Sequence, residues 1–233
     1  MTRHRLGLTS TVLAACLLVA CGGSGSNAPQ QGSAPFVVNA DGSSSFVDTA
    51  LSAALAAQPL ESLSAAERTS LAYMREEEKL AHDVYARLNT LWGSQTPVFG
   101  NIAQSEATHT EAVRLLLVRY SLPDPADNLS EGLFVAPVLQ QLYYDLTAQG
   151  STSLINALRV GAAIEEIDIL DLENALPTID NQDIRQVYAN LLKGSRNHLR
   201  AFVQALAQQG VTYAPAYLAG DAYTAIVTSA VER

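Results

Sequence analysis

The chain has 233 residues, of which 48% are hydrophobic and 6% aromatic, and this is enough apolar material for one sizeable core. Its formal net charge is -9 at pH 7 and its pI is about 4.8. Because phosphate contacts need clustered Lys and Arg, and no basic cluster is visible, this balance argues against a nucleic-acid partner.

The first 21 residues are typical of a bacterial lipoprotein signal peptide. Arg3 and Arg5 precede an apolar run from Leu6 to Ala20 that is too short for a comfortable membrane span. The end of this run, Leu18-Val19-Ala20-Cys21, resembles a lipobox, in which Cys21 is lipidated and becomes the mature N-terminus. The alternative is an ordinary signal peptide with a chance cysteine. The lipobox predicts a cell-envelope protein that is held to a membrane through a lipid anchor.

Both cysteines of the chain fall in this first segment. Cys16 lies in the part to be removed and Cys21 is the anchor. The folded domain is therefore expected to contain no disulfide, no thiolate metal site and no cysteine nucleophile.

Residues 22–60 are rich in Gly, Ser, Asn and Gln. Such a composition buries too little apolar surface to offset its chain entropy, so it predicts a flexible tether with little fixed structure. A short helix from Phe46 to Ala57 is expected within it. Residues 61–233 are predicted to form the helical domain.

The first long helix is predicted to begin at Ser64, because Ser64-Ala65-Ala66-Glu67 has the form of a capping box, and to end at Gly93. Its apolar stripe, with steps of three or four, contains Leu71, Met74, Glu78, Ala81 and Tyr85. A carboxylate therefore lies on the face predicted to be buried. The neighbouring Glu76 and Glu77 are interpreted as solvated, and His82 as a surface or second-shell residue.

The second helix is predicted from Pro97 to Tyr120. Glu106 and His109 are three residues apart, so they share one helix face, which Ile102 and the apolar residues after it direct into a core. Burying an ionised carboxylate costs several kcal/mol unless it is paired, hydrogen-bonded or bound to a metal. Glu106 therefore needs a partner, and a metal ion would satisfy it.

The connection from residue 121 to residue 150 begins with two prolines that end the second helix. One short helix is expected within it, with Pro137 near its first turn and Gly150 past its end. A connection of this length can cross a helical bundle.

The third helix is predicted from Ser151 or Thr152 to Leu176. Glu165 falls in its apolar seam, where a leucine would be expected. Glu166 points about 100° away and is interpreted as a rim or second-shell residue. The alternative is that an arginine, such as Arg159 or Arg185, neutralises Glu165.

The fourth helix is predicted from Asp180 or Asn181 to Gly210, with His198 on its apolar stripe. A lone histidine on such a face is more often a core residue than a ligand, but the inward polar groups of the other three helices favour a ligand. The tail from Val211 to Arg233 is expected to form a short helix near Ala225–Val231, packed on one end of the domain.

Two motifs carry a resemblance to a known superfamily. Phe99-x-x-Ile102-Ala103-x-x-Glu106-x-x-His109 resembles the second helix of ferritin-like proteins, and Glu78-x-x-Ala81-x-x-x-Tyr85 resembles their first helix. The span from about Thr69 to Gly210 resembles, more closely, an uncharacterised bacterial and archaeal ferritin-like family of unknown function. The resemblance implies an all-α fold, a ferritin-like four-helix bundle with a long crossover connection that carries a short helix.

By position, the resemblance implies five metal ligands: Glu78, Glu106, His109, Glu165 and His198. Glu166 is the fallback for Glu165. Ser195 stands where the superfamily has a carboxylate on the fourth helix, so one expected ligand is missing. Asp168, one turn beyond Glu165, could supply a further oxygen, and Tyr85 is a further second-shell candidate. The donor set suits iron, with two ions in the superfamily pattern, or Mn or Zn as alternatives.

The function that the resemblance implies is that of a non-haem di-metal oxidoreductase, of ferroxidase type or acting on oxygen or peroxide, outside the cytoplasm. One alternative is a metal-handling lipoprotein without turnover. The other is a metal-free structural bundle, in which Arg114, Arg159 or Arg185 neutralises the buried carboxylates. The sequence names no redox partner and does not exclude a homodimer.

Overall fold

Helices make up nearly all of the regular structure in residues 36–38 and 43–233, which are the residues that the computed structural model describes. In chain order the elements are β1 (Phe36–Val38), β2 (Ser44–Phe46), α1 (Asp48–Ala56), α2 (Ala65–Trp92), α3 (Val98–Arg119), α4 (Pro137–Gly150), α5 (Leu154–Ala175), α6 (Gln182–Gln208) and α7 (Gly220–Thr228). A single 3-10 turn, Leu176–Thr178, follows α5. The predicted all-α class is confirmed. Within these residues no helix combines the length and apolar character that a membrane span requires.

The start of α2 shows how local sequence sets a helix boundary. Ser64 Oγ accepts a hydrogen bond from Glu67 N at 3.1 Å, and Ser64 N donates to Glu67 Oε2 at 2.8 Å, so the predicted capping box is formed. The other oxygen of Glu67 accepts from the backbone N–H groups of Asp180 and Asn181. The capping residue therefore also ties the start of α2 to the residues that precede α6.

The four long helices α2, α3, α5 and α6 surround a common interior. Short loops join α2 to α3 and α5 to α6, and α2 also packs against α5 while α3 packs against α6. Helices α2 and α5 are antiparallel, because Tyr73 of α2 contacts Asp171 of α5 and the later residue Tyr85 contacts the earlier residue Glu165. Since α3 and α5 are both antiparallel to α2, they run in the same direction.

The connection between α3 and α5 must therefore return along the length of the helices. It does so through α4, whose 14 residues span about 21 Å and pack against both α2 and α5. A connection carrying one short helix was predicted, and the structure contains it.

Apolar layers lie on both sides of the centre of these helices. Phe202 of α6 has its ring centroid 5.2 Å from that of Tyr85 and 5.7 Å from that of Phe99, and leucines such as Leu71 and Leu191 are fully buried on the other side. The polar side chains at mid-length are thus enclosed between well-packed apolar layers.

Part of the predicted tether is ordered. β1 and β2 pair antiparallel, with Phe36 opposite Phe46, and the expected short helix is present as α1. Leu51 and Leu55, one turn apart, are both fully buried in the core. The prediction of little fixed structure is therefore wrong for this part, because an average over a Gly- and Ser-rich segment hides two well-spaced leucines. The predictions for residues 1–35 and 39–42 lie outside the described residues.

The tail helix α7 begins five residues earlier than predicted and ends at Thr228. It packs against α6, where Arg200 Nε donates to Ile226 O at 2.9 Å. Arg196 and Arg200 also pair with Glu232. The tail therefore lies along the middle of α6, and the prediction that it packs at one end of the domain was wrong because charge pairing with α6 could not be inferred from its apolar pattern.

Candidate metal centre

A single carboxylate lies between two histidines in the interior of the four long helices. Glu106 Oε2 is 2.9 Å from His109 Nδ1, and Glu106 Oε1 is 2.8 Å from His198 Nδ1. The two imidazole rings are stacked, with centroids 5.3 Å apart and planes at 27°. Glu106 and His109 come from α3 and His198 comes from α6, so the arrangement depends on the packing of these two helices.

A second carboxylate faces each histidine from the opposite pair of helices. Glu78 Oε2 of α2 is 3.3 Å from His109 Nδ1, and Glu165 Oε2 of α5 is 3.5 Å from His198 Nδ1. All five residues are at most 2% exposed. The structure therefore brings together, from four helices, the whole set that the sequence predicted as ligands.

Several of these atoms are close to one another without forming hydrogen bonds. Within the described residues, both histidine Nδ1 atoms, Glu106 Oε2 and Glu78 Oε1 are buried and lack a hydrogen-bond partner. One ligand atom each from Glu106, His109 and His198 lies within 4.8 Å of the others. Buried polar atoms are normally satisfied, so unsatisfied donor atoms that converge on one point fit a bound cation.

The charges of the cluster are strongly coupled. Burial alone would raise the pKa of Glu106, but the adjacent His109 and His198 outweigh it and hold the pKa well below its ordinary value. Burial would lower the pKa of His198, but Glu106 and Glu165 raise it to about 9. For Glu78 and Glu165, burial dominates and raises the pKa. Without a metal, imidazolium rings thus compensate the buried negative charge.

Two hydroxyl groups hold the outer edges of the centre. Tyr85 Oη donates to Glu165 Oε1 at 2.6 Å, and Ser105 Oγ is 2.8 Å from His198 Nε2. Both hydroxyls are fully buried. Tyr85 was predicted near Glu78, and its actual partner is Glu165 on the neighbouring α5; Ser105 was not predicted, although its position directly before Glu106 could have suggested it.

Asp168 lies beside the serine that replaces the expected fourth-helix carboxylate. Ser195 Oγ donates to Asp168 Oδ2, and Asp168 Oδ1 has no partner within the described residues. Burial and the charge of Glu165 raise the pKa of Asp168 to about 7. A carboxyl group from α5 thus adjoins the position where the sequence lacked one on α6.

Glu166 does not face this centre. Its carboxylate accepts hydrogen bonds from Tyr213 Oη at 2.6 Å and from the backbone N–H groups of residues 216–218 at 2.7 to 3.1 Å. Its role as a fallback for Glu165 is therefore excluded. The sequence of the tail gave no indication that its residues would donate hydrogen bonds to Glu166.

The prediction that Glu76 and Glu77 are solvated was wrong. Glu76 accepts hydrogen bonds from the backbone N–H groups of Val135 and Ala136, just before α4, and Glu77 is only 6% exposed. Glu76 is buried because the residues just before α4 cover a face of α2 that periodicity alone would leave in solvent. Glu77 is buried beside Asp168 and Asp171 of α5. His82 has a partly exposed side chain that bonds Asp83, in keeping with its predicted surface position.

The arginines that could have neutralised the cluster bond elsewhere. Arg114 pairs with Glu111, Arg159 contacts Asn156, and Arg185 donates to the carbonyl groups of Leu176 and Ile179. None of these hydrogen bonds reaches Glu78, Glu106 or Glu165. The contacts of these three arginines therefore do not support the alternative of a metal-free bundle in which arginines neutralise the buried carboxylates.

A small cavity of about 10 Å³ adjoins the carboxylate side of the centre. Its lining is acidic on one side and apolar on the other: Glu77, Glu78, Leu80, Ala81, Glu106, Leu139, Leu142, Ile164, Glu165, Ile167 and Asp168. This volume is close to the space that one water-sized sphere occupies. Leu139 and Leu142 belong to α4, so this helix closes the cavity.

Comparisons with known proteins agree on one relationship. The chain is 48% identical over 175 residues to the uncharacterized protein MJ0754 of Methanocaldococcus jannaschii, an alignment that covers 75% of this chain and 94% of that protein. It is also similar to the crystal structure of the hypothetical protein MJ0754 from Methanococcus jannaschii, with a TM-score of 0.72, 47% identity, and coverage of 75% of this chain and 98% of that one. The model of an uncharacterized protein domain family, DUF2202, matches residues 67–230. With most of its length matched by that model, the chain belongs to the DUF2202 family.

Proposed function

We propose that the domain is a ferritin-like four-helix bundle that binds a transition metal, with iron first among the candidates, at the Glu/His centre, and that it acts as a non-haem di-metal oxidoreductase of ferroxidase type. One observation carries the proposal. The Glu106 carboxylate lies between the Nδ1 atoms of two buried histidines, and neither Nδ1 atom has a hydrogen-bond partner among the described residues.

The donor set is of the kind that binds first-row metals. Carboxylate oxygens and neutral imidazole nitrogens together suit Fe, Mn and Zn. Glu78 and His109 form one half of the centre and Glu165 and His198 the other, with Glu106 shared between them. This division supports two ions, with Asp168 as a further oxygen donor beside Ser195.

The surrounding residues have defined parts in such a centre. Iron, when bound, would supply electron transfer to oxygen or peroxide, as the superfamily resemblance implies. Tyr85 fixes the orientation of Glu165, and Ser105 that of His198. Leu139 and Leu142 close the carboxylate side, so that the cavity there has space only for a molecule of about the size of water.

A metal-handling role without turnover is the second candidate. The enclosed cavity of about 10 Å³ leaves little space for a substrate, and Ser195 supplies no charge. Both features suit retention of an ion better than exchange of a reactant. Turnover with oxygen or peroxide distinguishes the two candidates.

We also propose an extracytoplasmic location, with the lipid on Cys21 as the membrane attachment. The support is the lipobox and the apolar run within residues 1–21. The acidic balance of the chain is compatible with an environment rich in cations. A homodimer and a separate electron donor are compatible with this proposal, but no residue assigns either.

Elemental analysis tests the proposal directly. The protein is purified without affinity metals, beside the double variant Glu106→Ala, His109→Ala and a control double variant at two exposed residues of α4, Gln141→Ala, Asp145→Ala. Two equivalents of iron in the parent and the control, and none in the first variant, would support a di-iron centre and justify oxygen and peroxide assays. One equivalent of zinc or manganese would indicate a half-filled centre. If the parent takes up no iron, manganese or zinc, the metal proposal is wrong.

A further inference from the structure

The strand β2 reaches the metal centre from the N-terminal segment. Ser44 is only 4% exposed, and its backbone N–H donates to Ser105 Oγ at 2.8 Å. The composition of this segment gave no reason to expect a buried residue in it. The strand therefore has a specific contact with α3, at the residue that adjoins Glu106.

Ser105 contacts His198 as well as Ser44. Its Oγ lies 2.8 Å from His198 Nε2, while His198 Nδ1 faces Glu106 and Glu165. If Nδ1 binds a metal, Nε2 carries the hydrogen and donates it to Ser105 Oγ, whose two lone pairs can accept from both His198 and Ser44. An outer-shell acceptor of this kind fixes the ring orientation of a ligating histidine.

The hydroxyl of Ser44 lies on the side of the other histidine. A Cβ atom built on Gly194 would lie 2.6 Å from His109 Nε2 and 3.3 Å from Ser44 Oγ, so both atoms border the space beside Gly194. Both are buried, and neither has a hydrogen-bond partner among the described residues. His109 Nδ1 faces Glu106 and Glu78, so Nε2 is the nitrogen that remains for an outer-shell contact.

We infer that Ser44 is a positioning residue of the metal centre: its N–H orients His198 through Ser105, and one water molecule accepts from His109 Nε2 and donates to the Ser44 hydroxyl. The inference rests on the proposed metal function and goes beyond it. It makes the N-terminal segment a part of the centre. Metal affinity then depends on whether β2 is docked against α3 and α6.

Three single variants of the full chain test this inference. Ser44→Ala removes the hydroxyl beside His109, Ser105→Ala removes the acceptor of His198, and Ser45→Ala changes an exposed serine of the same strand as a control. Zinc is the probe, in competition with a chromogenic chelator. Loss of an outer-shell partner is expected to weaken zinc binding by about 10- to 100-fold in the first two variants. Ser45→Ala is expected to bind zinc as the parent does.

A spectroscopic readout separates positioning from a general loss of structure. The ring Nε2–H signals of the two histidines are followed by 15N-resolved NMR, with and without zinc, after far-UV circular dichroism has shown that each variant is folded. Ser105→Ala should shift the His198 signal and hasten its exchange with water, and Ser44→Ala should do so for His109. Ser45→Ala should leave both signals unchanged.

The outcomes are distinguishable. Unchanged zinc affinity and unchanged ring signals in Ser44→Ala and Ser105→Ala would overturn the inference even if the parent binds zinc well. If the parent binds no zinc, the proposed metal function fails, and the metal-free ring signals alone decide whether Ser44 and Ser105 orient the histidines.

Discussion

Glu106 holds the two halves of the centre together through charge. Its carboxylate is the nearest anion to both histidine Nδ1 atoms, and it is itself fully buried. Two imidazolium rings stacked 5.3 Å apart would repel each other without this anion between them. The residue is therefore important to the metal-free protein as well as to a metal complex.

Replacing Glu106 with Gln should lower the pKa of His198 from about 9, because burial, which favours the neutral ring, is then opposed by Glu165 alone. NMR titration of the histidine ring signals in metal-free protein measures the change. Glu111→Gln, which alters a carboxylate that pairs with Arg114 outside the centre, is the matched control. A His198 pKa that does not fall would show that Glu106 is not its main electrostatic partner.

Gly194 is needed for a steric reason. An added Cβ would lie 2.4 Å from His109 Cε1, so the imidazole ring would have to move. Gly194→Ala is expected to cost about 1–3 kcal/mol of unfolding free energy and to weaken metal binding, since overpacking a buried site forces such shifts. Urea denaturation and zinc competition check both effects. Gly220→Ala, where the added Cβ meets nothing within 4 Å, should lower neither the free energy of unfolding nor the metal affinity.

At the scale of elements, α4 is the part of the fold that closes the centre. Its position is fixed from α2: Glu76 bonds the backbone just before α4, and Asp83 Oδ2 accepts from Gly132 N at 2.8 Å while pairing with Lys79. Lys79 also bonds Ser130 O. These contacts place Leu139 and Leu142 over the cavity, so stability and access to the centre are linked.

Asp83→Asn is expected to destabilise the protein by about 1–3 kcal/mol at pH 7, because a buried carboxylate that accepts several hydrogen bonds is lost. Burial would raise the pKa of Asp83, but His82, Lys79 and Gly132 lower it. A lowered folded-state pKa means that this stability is present above the unfolded pKa of about 3.9 and is lost as the pH falls through the folded value.

The difference between parent and Asp83→Asn should therefore shrink below about pH 4. Urea denaturation at pH 7 and pH 3 measures it. Asp145→Asn, at an exposed aspartate of α4, provides the control. If the difference in unfolding free energy between parent and Asp83→Asn were the same at both pH values, the stabilisation by Asp83 would not come from its charge.

The helices themselves could be predicted because their signals are local. The capping box at Ser64 and the stripes through Glu78 and Glu165 need only neighbouring residues, and the structure confirms them. The burial of Glu77, the contacts of Glu166 and the docking of Ser44 depend on segments far away in the chain. Helical periodicity gives no information about contacts between distant segments. Ser44 was assigned to a tether because only the composition of its segment was considered.

At the scale of the whole molecule, the centre takes its side chains from all four long helices. Glu78 and Glu165 come from α2 and α5, while Glu106, His109 and His198 come from α3 and α6. Four like-charged carboxyl groups, with Asp168 included, are enclosed with two histidines in one core. Metal-free protein must compensate this charge with protons, as the raised pKa values of Glu78, Glu165 and Asp168 indicate.

A bound cation would replace those protons and join all four helices, so it should stabilise the fold as a unit. A metal at about 100 times its dissociation constant contributes about 2.7 kcal/mol, which for a domain of this size corresponds to a rise in melting temperature of roughly 5–10 °C. Differential scanning calorimetry with added Mn²⁺ or Zn²⁺ measures the shift. The Glu106→Ala, His109→Ala variant should show no shift, because the shared carboxylate and one of the two histidines are gone. Equal shifts in both proteins would place the ion on the acidic surface and not between the helices.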